Sequence, residues 1–203
     1  MICSSLLAAA IDHPGIASKS LSPENFTLIE NGNPTEIVVA DGENSAVRIA
    51  ALNLAADFGR VGGKASAVAA TPTGNRIIMA GTIDGPTLKP LIKNRLVDLS
   101  ELKGKTEQYI ITNVANPAPG VDEALVVAGS DRRGAVYGIY EISEQLGVSP
   151  WYDWADVPVA HCDNVSVARG RYTAGEPAVR YRGIFLNDEA PCLTGWVKNT
   201  YGT

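Results

Sequence analysis

The chain has 203 residues, 45% of them hydrophobic and 19% charged, and a formal net charge of −5. That length and apolar share support one packed domain with residues left over. The acidic balance excludes nucleic acid or an anionic membrane surface as a general partner, and no apolar run approaches the roughly 18 residues of a membrane helix.

The first residues, Met1-Ile-Cys-Ser-Ser-Leu-Leu-Ala-Ala-Ala-Ile11, resemble the apolar part of a signal peptide but lack the basic stretch that precedes one. Two glycosylation triplets, Asn25-Phe-Thr27 and Asn164-Val-Ser166, fit a secreted protein. Glu36-Ile-Val-Val-Ala40 is a β-branched run ending at the turn signal Asp41-Gly42, and it predicts a strand. Residues 44–58 place Val47, Leu52, Leu54, Ala55 and Phe58 near helical spacing, so a helix is expected there, stopping at Gly59. A second strand is predicted over 75–80 and a short helix over 86–94, with Pro86 in its first turn.

Residues 107–112 and 123–128 read as two strands joined by the turn-rich Asn116-Pro-Ala-Pro-Gly120. The clearest helix follows over 132–146, with Val136, Ile139, Tyr140, Ser143 and Leu146 on one stripe, Asp131 or Ser130 as its cap and Gly147 as its stop. Trp151-Tyr-Asp-Trp154 begins an aromatic, turn-prone linker. A short strand is expected around 165–167, and another over 179–186 running into Asn187-Asp-Glu189. Strands alternating with helices predict an α/β (α+β) fold, a layered auxiliary domain with a mixed sheet over residues 1–170.

Nucleotide and metal chemistry find no support. Gly59-Arg-Val-Gly-Gly-Lys64 continues into Ala65, where a phosphate loop needs Ser or Thr, and Gly129-Ser-Asp-Arg-Arg-Gly134 lacks the Gly-x-Gly of a dinucleotide turn. The latter reads as a tight strand-to-helix turn. His13 and His161 are far apart, as are Cys3, Cys162 and Cys192, so neither a metal set nor a disulfide framework follows. Asn187-Asp188-Glu189 is the informative group, because polar residues at the C-terminal end of a barrel strand face the active site. Glycosidases need two carboxylates about 5 to 9.5 Å apart across the scissile bond. Neighbouring strand residues point to opposite faces, so Asp188 and Glu189 together do not make that pair, and at most one is a member. The same residues also fit a solvated strand end or a helix N-cap.

The stretch from Gly129-Ser-Asp-Arg-Arg-Gly-Ala-Val-Tyr-Gly through Glu144-Gln-Leu-Gly-Val-Ser-Pro-Trp-Tyr-Asp-Trp154 to Pro158 resembles the signature of family 115 glycoside hydrolases. Glu176-Pro-Ala-Val-Arg-Tyr-Arg-Gly-Ile-Phe-Leu-Asn-Asp-Glu189, with Trp196 and Tyr201-Gly202, is similar to that family's passage into its catalytic barrel. Its shorter core, Tyr137-Gly138 to Gln145-Leu146, also resembles auxiliary domains of hexosaminidase-like families.

The resemblance implies an inverting xylan α-1,2-glucuronidase, releasing glucuronic acid or its 4-O-methyl ether without a metal or other cofactor. Its partner would be glucuronoxylan or its oligosaccharides, its location extracellular, and the full-length protein a possible homodimer. Residues 171–203 would begin a (β/α)8 barrel, which needs about 250 residues, so the chain as written is expected to be inactive. Asp188 and Glu189 would supply a site carboxylate or accept hydrogen bonds from sugar hydroxyls, with Asn187 in the same pocket. Asp131, Arg132 and Arg133 would lie toward the barrel mouth, where an arginine fork suits a uronate carboxylate or else makes an interdomain pair. Trp151 and Tyr152 would stack on a sugar ring or seal the domain interface. A competing expectation is a non-catalytic carbohydrate-binding or interdomain scaffold module.

Overall fold

Central strands that are apolar along their whole length require cover on both faces, and the fold provides it. The computed structural model describes residues 15–183, together with 185, 193, 195, 198 and 199. In chain order these form β1 (Ala17–Ser18), β2 (Asn25–Glu30), β3 (Asn33–Pro34), β4 (Glu36–Val38), α1 (Ser45–Gly62), β5 (Val68–Ala69), β6 (Arg76–Thr82) and α2 (Lys89–Lys93). A 3₁₀ turn at Ser100–Leu102 precedes β7 (Tyr109–Ala118), β8 (Val121–Gly129), α3 (Arg132–Leu146), α4 (Tyr152–Ala155), β9 (Val165–Ala168) and β10 (Arg171–Ala174).

The larger sheet has the order β10-β7-β8-β6-β4-β5. Its pairings from β8 to β5 are parallel, while β7 and β10 are antiparallel. The alternation of β6 divides the core in two. Ile78 and Ala80 face α1 and α3, packing with Leu54, Phe58, Val127, Ile139 and Ile142. Ile77 and Met79 face the opposite side, under Leu88, Leu91, Leu99 and Leu102. A second, antiparallel sheet, ordered β1-β9-β2-β3, adds Phe26, Leu28, Ile29, Val165 and Val167 to the core beneath α1. Each fully buried side chain of this size contributes about 1.5–3 kcal/mol. Among the described residues no helix is long and apolar enough to cross a membrane.

The layered α/β expectation holds, and the differences are local. Helix α1 runs through Gly59 and stops at Gly63, which takes the left-handed φ of 84° that ends a helix. A Cβ at Gly59 would stand 3.3 Å from the Ala65 amide nitrogen, so this glycine lets the following loop pack against the helix. Leu52, placed on the buried stripe by its spacing, is exposed, and so is Tyr140 on α3; Ile142 is buried instead. Helix α2 starts at Lys89 with Pro90 in its first turn, leaving Pro86 in the preceding loop. Strand β7 runs on through Asn116 and Pro117, and a bulge between Ala115 and Ala118 tightens the turn into β8.

The sheet also passes residue 170, the expected end of the first domain. Strand β10 pairs along β7, from Arg171 opposite Thr112 to Ala174 opposite Tyr109. The strand expected over 179–186 is not formed at its described positions, 179–183 and 185. A strand needs a partner for its backbone ladder, and among the described residues none pairs with these.

Candidate functional site

The turn between β8 and α3 brings together more of the sequence-predicted residues than any other described part of the molecule. The first turn of α3 lies directly on the start of β7. A Cβ at Gly134 would fall 2.3 Å from the Gln108 carbonyl oxygen, and one at Gly129 would fall 2.0 Å from the Ala135 amide nitrogen. The Gly129-to-Gly134 motif is therefore a device for close backbone packing.

Asp131 ties the turn together. Its Oδ1 accepts from the Gly134 amide at 2.8 Å, capping α3, and its Oδ2 accepts from the Glu107 amide at 2.9 Å. Ser130 pairs twice with Gln108, donating its amide to the Gln108 carbonyl at 2.9 Å and accepting the Gln108 amide on Oγ at 3.1 Å. Glu107, so fixed, has a left-handed φ of 58° and is only 7% exposed.

The Glu107 carboxylate holds two arginines. One oxygen lies 2.9 Å from Arg133, and the other pairs with Arg182. Arg182 also donates to the Tyr137 hydroxyl at 3.2 Å, and both guanidinium groups lie 6.0 Å from the Tyr137 ring centre. The Glu107 hydrogen bond, followed by that to Tyr137, holds the Arg182 guanidinium more firmly protonated than usual. Two residues earlier in the same loop, Lys105 meets the Glu176 carboxylate at 3.1 Å, and the Thr106 amide donates to it at 2.8 Å. The Thr106 amide first, then Lys105, holds the Glu176 carboxyl below its ordinary range.

Tyr137 also borders a cavity of about 780 Å³ between α1, α3 and α4. Its wall carries Asp57, Arg60, Tyr140, Glu141 and Tyr152. Arg60 pairs with Asp57 and stacks 4.7 Å over the Tyr152 ring. Asn53 donates to the Tyr140 hydroxyl at 2.6 Å, and the Tyr109 hydroxyl donates to Glu141 at 2.9 Å. Burial, and then the Glu141 carboxylate, pushes the Tyr109 phenol well above its usual value. The Ser143 hydroxyl is buried in this wall with no hydrogen-bond partner among the described residues. Aromatic faces beside carboxylates can pack a ring and accept from hydroxyls, and the charge of Arg60 is met by Asp57.

Asp131 thus serves the fold with both carboxylate oxygens, and Arg133 is engaged by Glu107. Arg132 is exposed beside them, with no hydrogen bond or ion pair among the described residues. Trp151 is 56% exposed, and Tyr152 stands in the cavity wall, apart from the Glu107 cluster. Asn187, Asp188 and Glu189 lie outside the described residues. Sequence reasoning missed Glu107, Arg182, Tyr137, Asp57 and Arg60. Glu107 reads as the first residue of a strand, and only its backbone conformation sets it apart.

Among the described residues no three His, Cys, Asp or Glu side chains gather as a metal set. Cys162 is free, donating from Sγ to the Asn164 carbonyl at 3.1 Å, and His161 faces Asp163 at 3.1 Å on the surface.

The sequence model of glycosyl hydrolase family 115 matches residues 174–203. Among solved structures the chain is similar to BtGH115A, a family GH115 4-O-methyl-α-glucuronidase with specificity for decorated arabinogalactans. The identity is 36% and the TM-score 0.69, over 87% of this chain and 22% of that one. The chain thus spans about a fifth of that relative's length. A more distant similarity is to CpGH84D, at 14% identity and a TM-score of 0.38, over 66% of this chain and 20% of that one. No curated protein matches the chain. The signature through α3, the match that starts at Ala174 and the likeness to BtGH115A agree: this chain belongs to glycoside hydrolase family 115.

Proposed function

We propose that the chain is the α/β layer and barrel lead-in of a secreted glycoside hydrolase that removes α-1,2-linked glucuronic acid, or its 4-O-methyl ether, from xylan with inversion. The observation that carries this reading is the 36% identity to BtGH115A over 87% of the chain. The family match supports it further, since residues 174–203 include Asn187, Asp188 and Glu189.

In this reading one of Asp188 and Glu189 serves as a site carboxylate, and the second carboxylate, about 5 to 9.5 Å away across the scissile bond, comes from another part of the polypeptide. Asn187 donates to sugar hydroxyls. Arg132, free of other partners among the described residues, is the arginine of the α3 turn best placed to meet a uronate carboxylate. The 203 residues alone do not turn over, since a barrel of this kind takes about 250 residues.

A second reading keeps the reaction and changes the polymer. BtGH115A is specific for decorated arabinogalactans, so a galactan main chain is the competing substrate. Proton NMR of each polymer, incubated with the polypeptide encoded by the complete reading frame, tests both. The α-linked uronic acid signal should disappear, with the β-anomer of the free acid appearing first. An unchanged spectrum with both polymers rules out the activity, and loss from arabinogalactan alone selects the second reading.

A further inference from the structure

The segment that follows β10 is exposed at Val179, Tyr181 and Phe185, so burial of these described apolar residues does not hold it. Among the described residues it is held by charge at two points, and both belong to one three-residue stretch. Glu176 is taken by Lys105 and the Thr106 amide, and Arg182 by Glu107.

We propose that Lys105-Thr106-Glu107 is a clamp fixing the direction in which residues 176–183 leave the α/β layer, with Glu107 as its positioning residue. Resting on the family reading, Glu107 acts on the reaction by fixing Arg182, which stands five residues before the motif at 187–189 in the sequence.

Three features equip Glu107 for this. Its backbone is locked by the Asp131 acceptor on its amide, so its side chain has a fixed origin. It is buried while both arginines it holds are partly exposed, which makes it the hub of the cluster. Charge-assisted bonds to guanidinium are also stronger and more directional than neutral ones. Tyr137 supports Arg182 from the side, with its ring and its hydroxyl. The neighbouring Arg180 supplies an internal control, because it stacks 5.5 Å from its own neighbour Tyr181 and makes no hydrogen bond or ion pair with Lys105, Thr106 or Glu107.

Trypsin reads the clamp directly, since it must draw an arginine side chain into its own pocket. In the 203-residue chain, cleavage after Arg182 should be about tenfold slower than after Arg180, cleavage tracking the population of the open form. Glu107→Gln should bring the two rates together. Arg133→Ala, which leaves Arg182 on Glu107, should keep the Arg182 site slow. If Glu107→Gln fails to fold, the unmutated chain still decides the matter through its guanidinium NMR signals: Arg182 shifted and exchanging slowly, Arg180 neither. Equal cleavage at both sites in the unmutated chain, or a slow Arg182 site in a folded Glu107→Gln chain, overturns the proposal.

In the polypeptide of the complete reading frame, Glu107→Gln should lower kcat about tenfold while KM holds, the pattern of misplaced catalytic groups. Unchanged kcat overturns the positioning role. An inactive unmutated enzyme counts against the glucuronidase reading alone, and the trypsin result stands apart from it.

Discussion

Replacing Asp131 with alanine separates its structural role from a sugar-binding one. The substitution removes the acceptor for the Gly134 amide, which caps α3, and the acceptor for the Glu107 amide. Loss of a cap costs about 1 kcal/mol. Leaving a largely buried amide unsatisfied costs about 1–3 kcal/mol more. Asp131→Ala should therefore destabilise the chain by about 2–4 kcal/mol, or about 4–16 °C in Tm for a domain of this size. Asp131→Asn keeps one acceptor and turns a donor toward the other amide, so its loss should be about half. Urea unfolding followed by circular dichroism measures both. A loss under about 0.5 kcal/mol for Asp131→Ala, the range of ordinary surface changes, would refute this account of the turn.

Other consequences are sharper in sign than in size. Gly134→Ala should cost at least about 3 kcal/mol or prevent folding, because its methyl meets the Gln108 backbone at 2.3 Å and cannot rotate away. Gly175→Ala, with nothing within 4 Å, should be silent in the same urea assay. Tyr109 gives the pH dependence. Burial and Glu141 raise its folded-state value, so the folded chain keeps a proton that the unfolded chain gives up. Its stabilising effect is whole below about pH 10 and falls as pH climbs toward the folded-state value. The urea midpoint should drop over that range and should drop less in Tyr109→Phe.

The parts of the fold legible in the sequence are those whose signals are local. Helix α3 spans Arg132–Leu146, as its cap and stop residues indicate, because Asp131 and Gly147 act on backbone groups within a few residues of themselves. Glycine misleads where its reason is distant. Gly59 looks like a stop and is a packing site against Ala65, while the true stop at Gly63 is part of the same glycine-rich run. Strand β2 goes unseen because Asn25-Phe-Thr27 draws notice as a glycosylation triplet; in the fold Phe26 is fully buried, and the Asn25 side-chain Nδ2 donates to the Ser166 hydroxyl at 3.0 Å. Its partner β9 lies far away in sequence, and no local signal reports such a pairing. The site follows the same rule. The cap at Asp131 could be anticipated, whereas Glu107 draws Arg133 and Arg182 together only after β7 and α3 have packed.

Release of free uronic acid, followed by anion-exchange chromatography, tests the central claim most directly. Glucuronoxylan and a decorated arabinogalactan are each treated with the 203-residue chain and with the polypeptide of the complete reading frame. Free 4-O-methylglucuronic or glucuronic acid is expected from at least one polymer with the polypeptide of the complete reading frame, and none with the 203 residues alone. Turnover by the short chain, or silence from the longer one on both polymers, would contradict it.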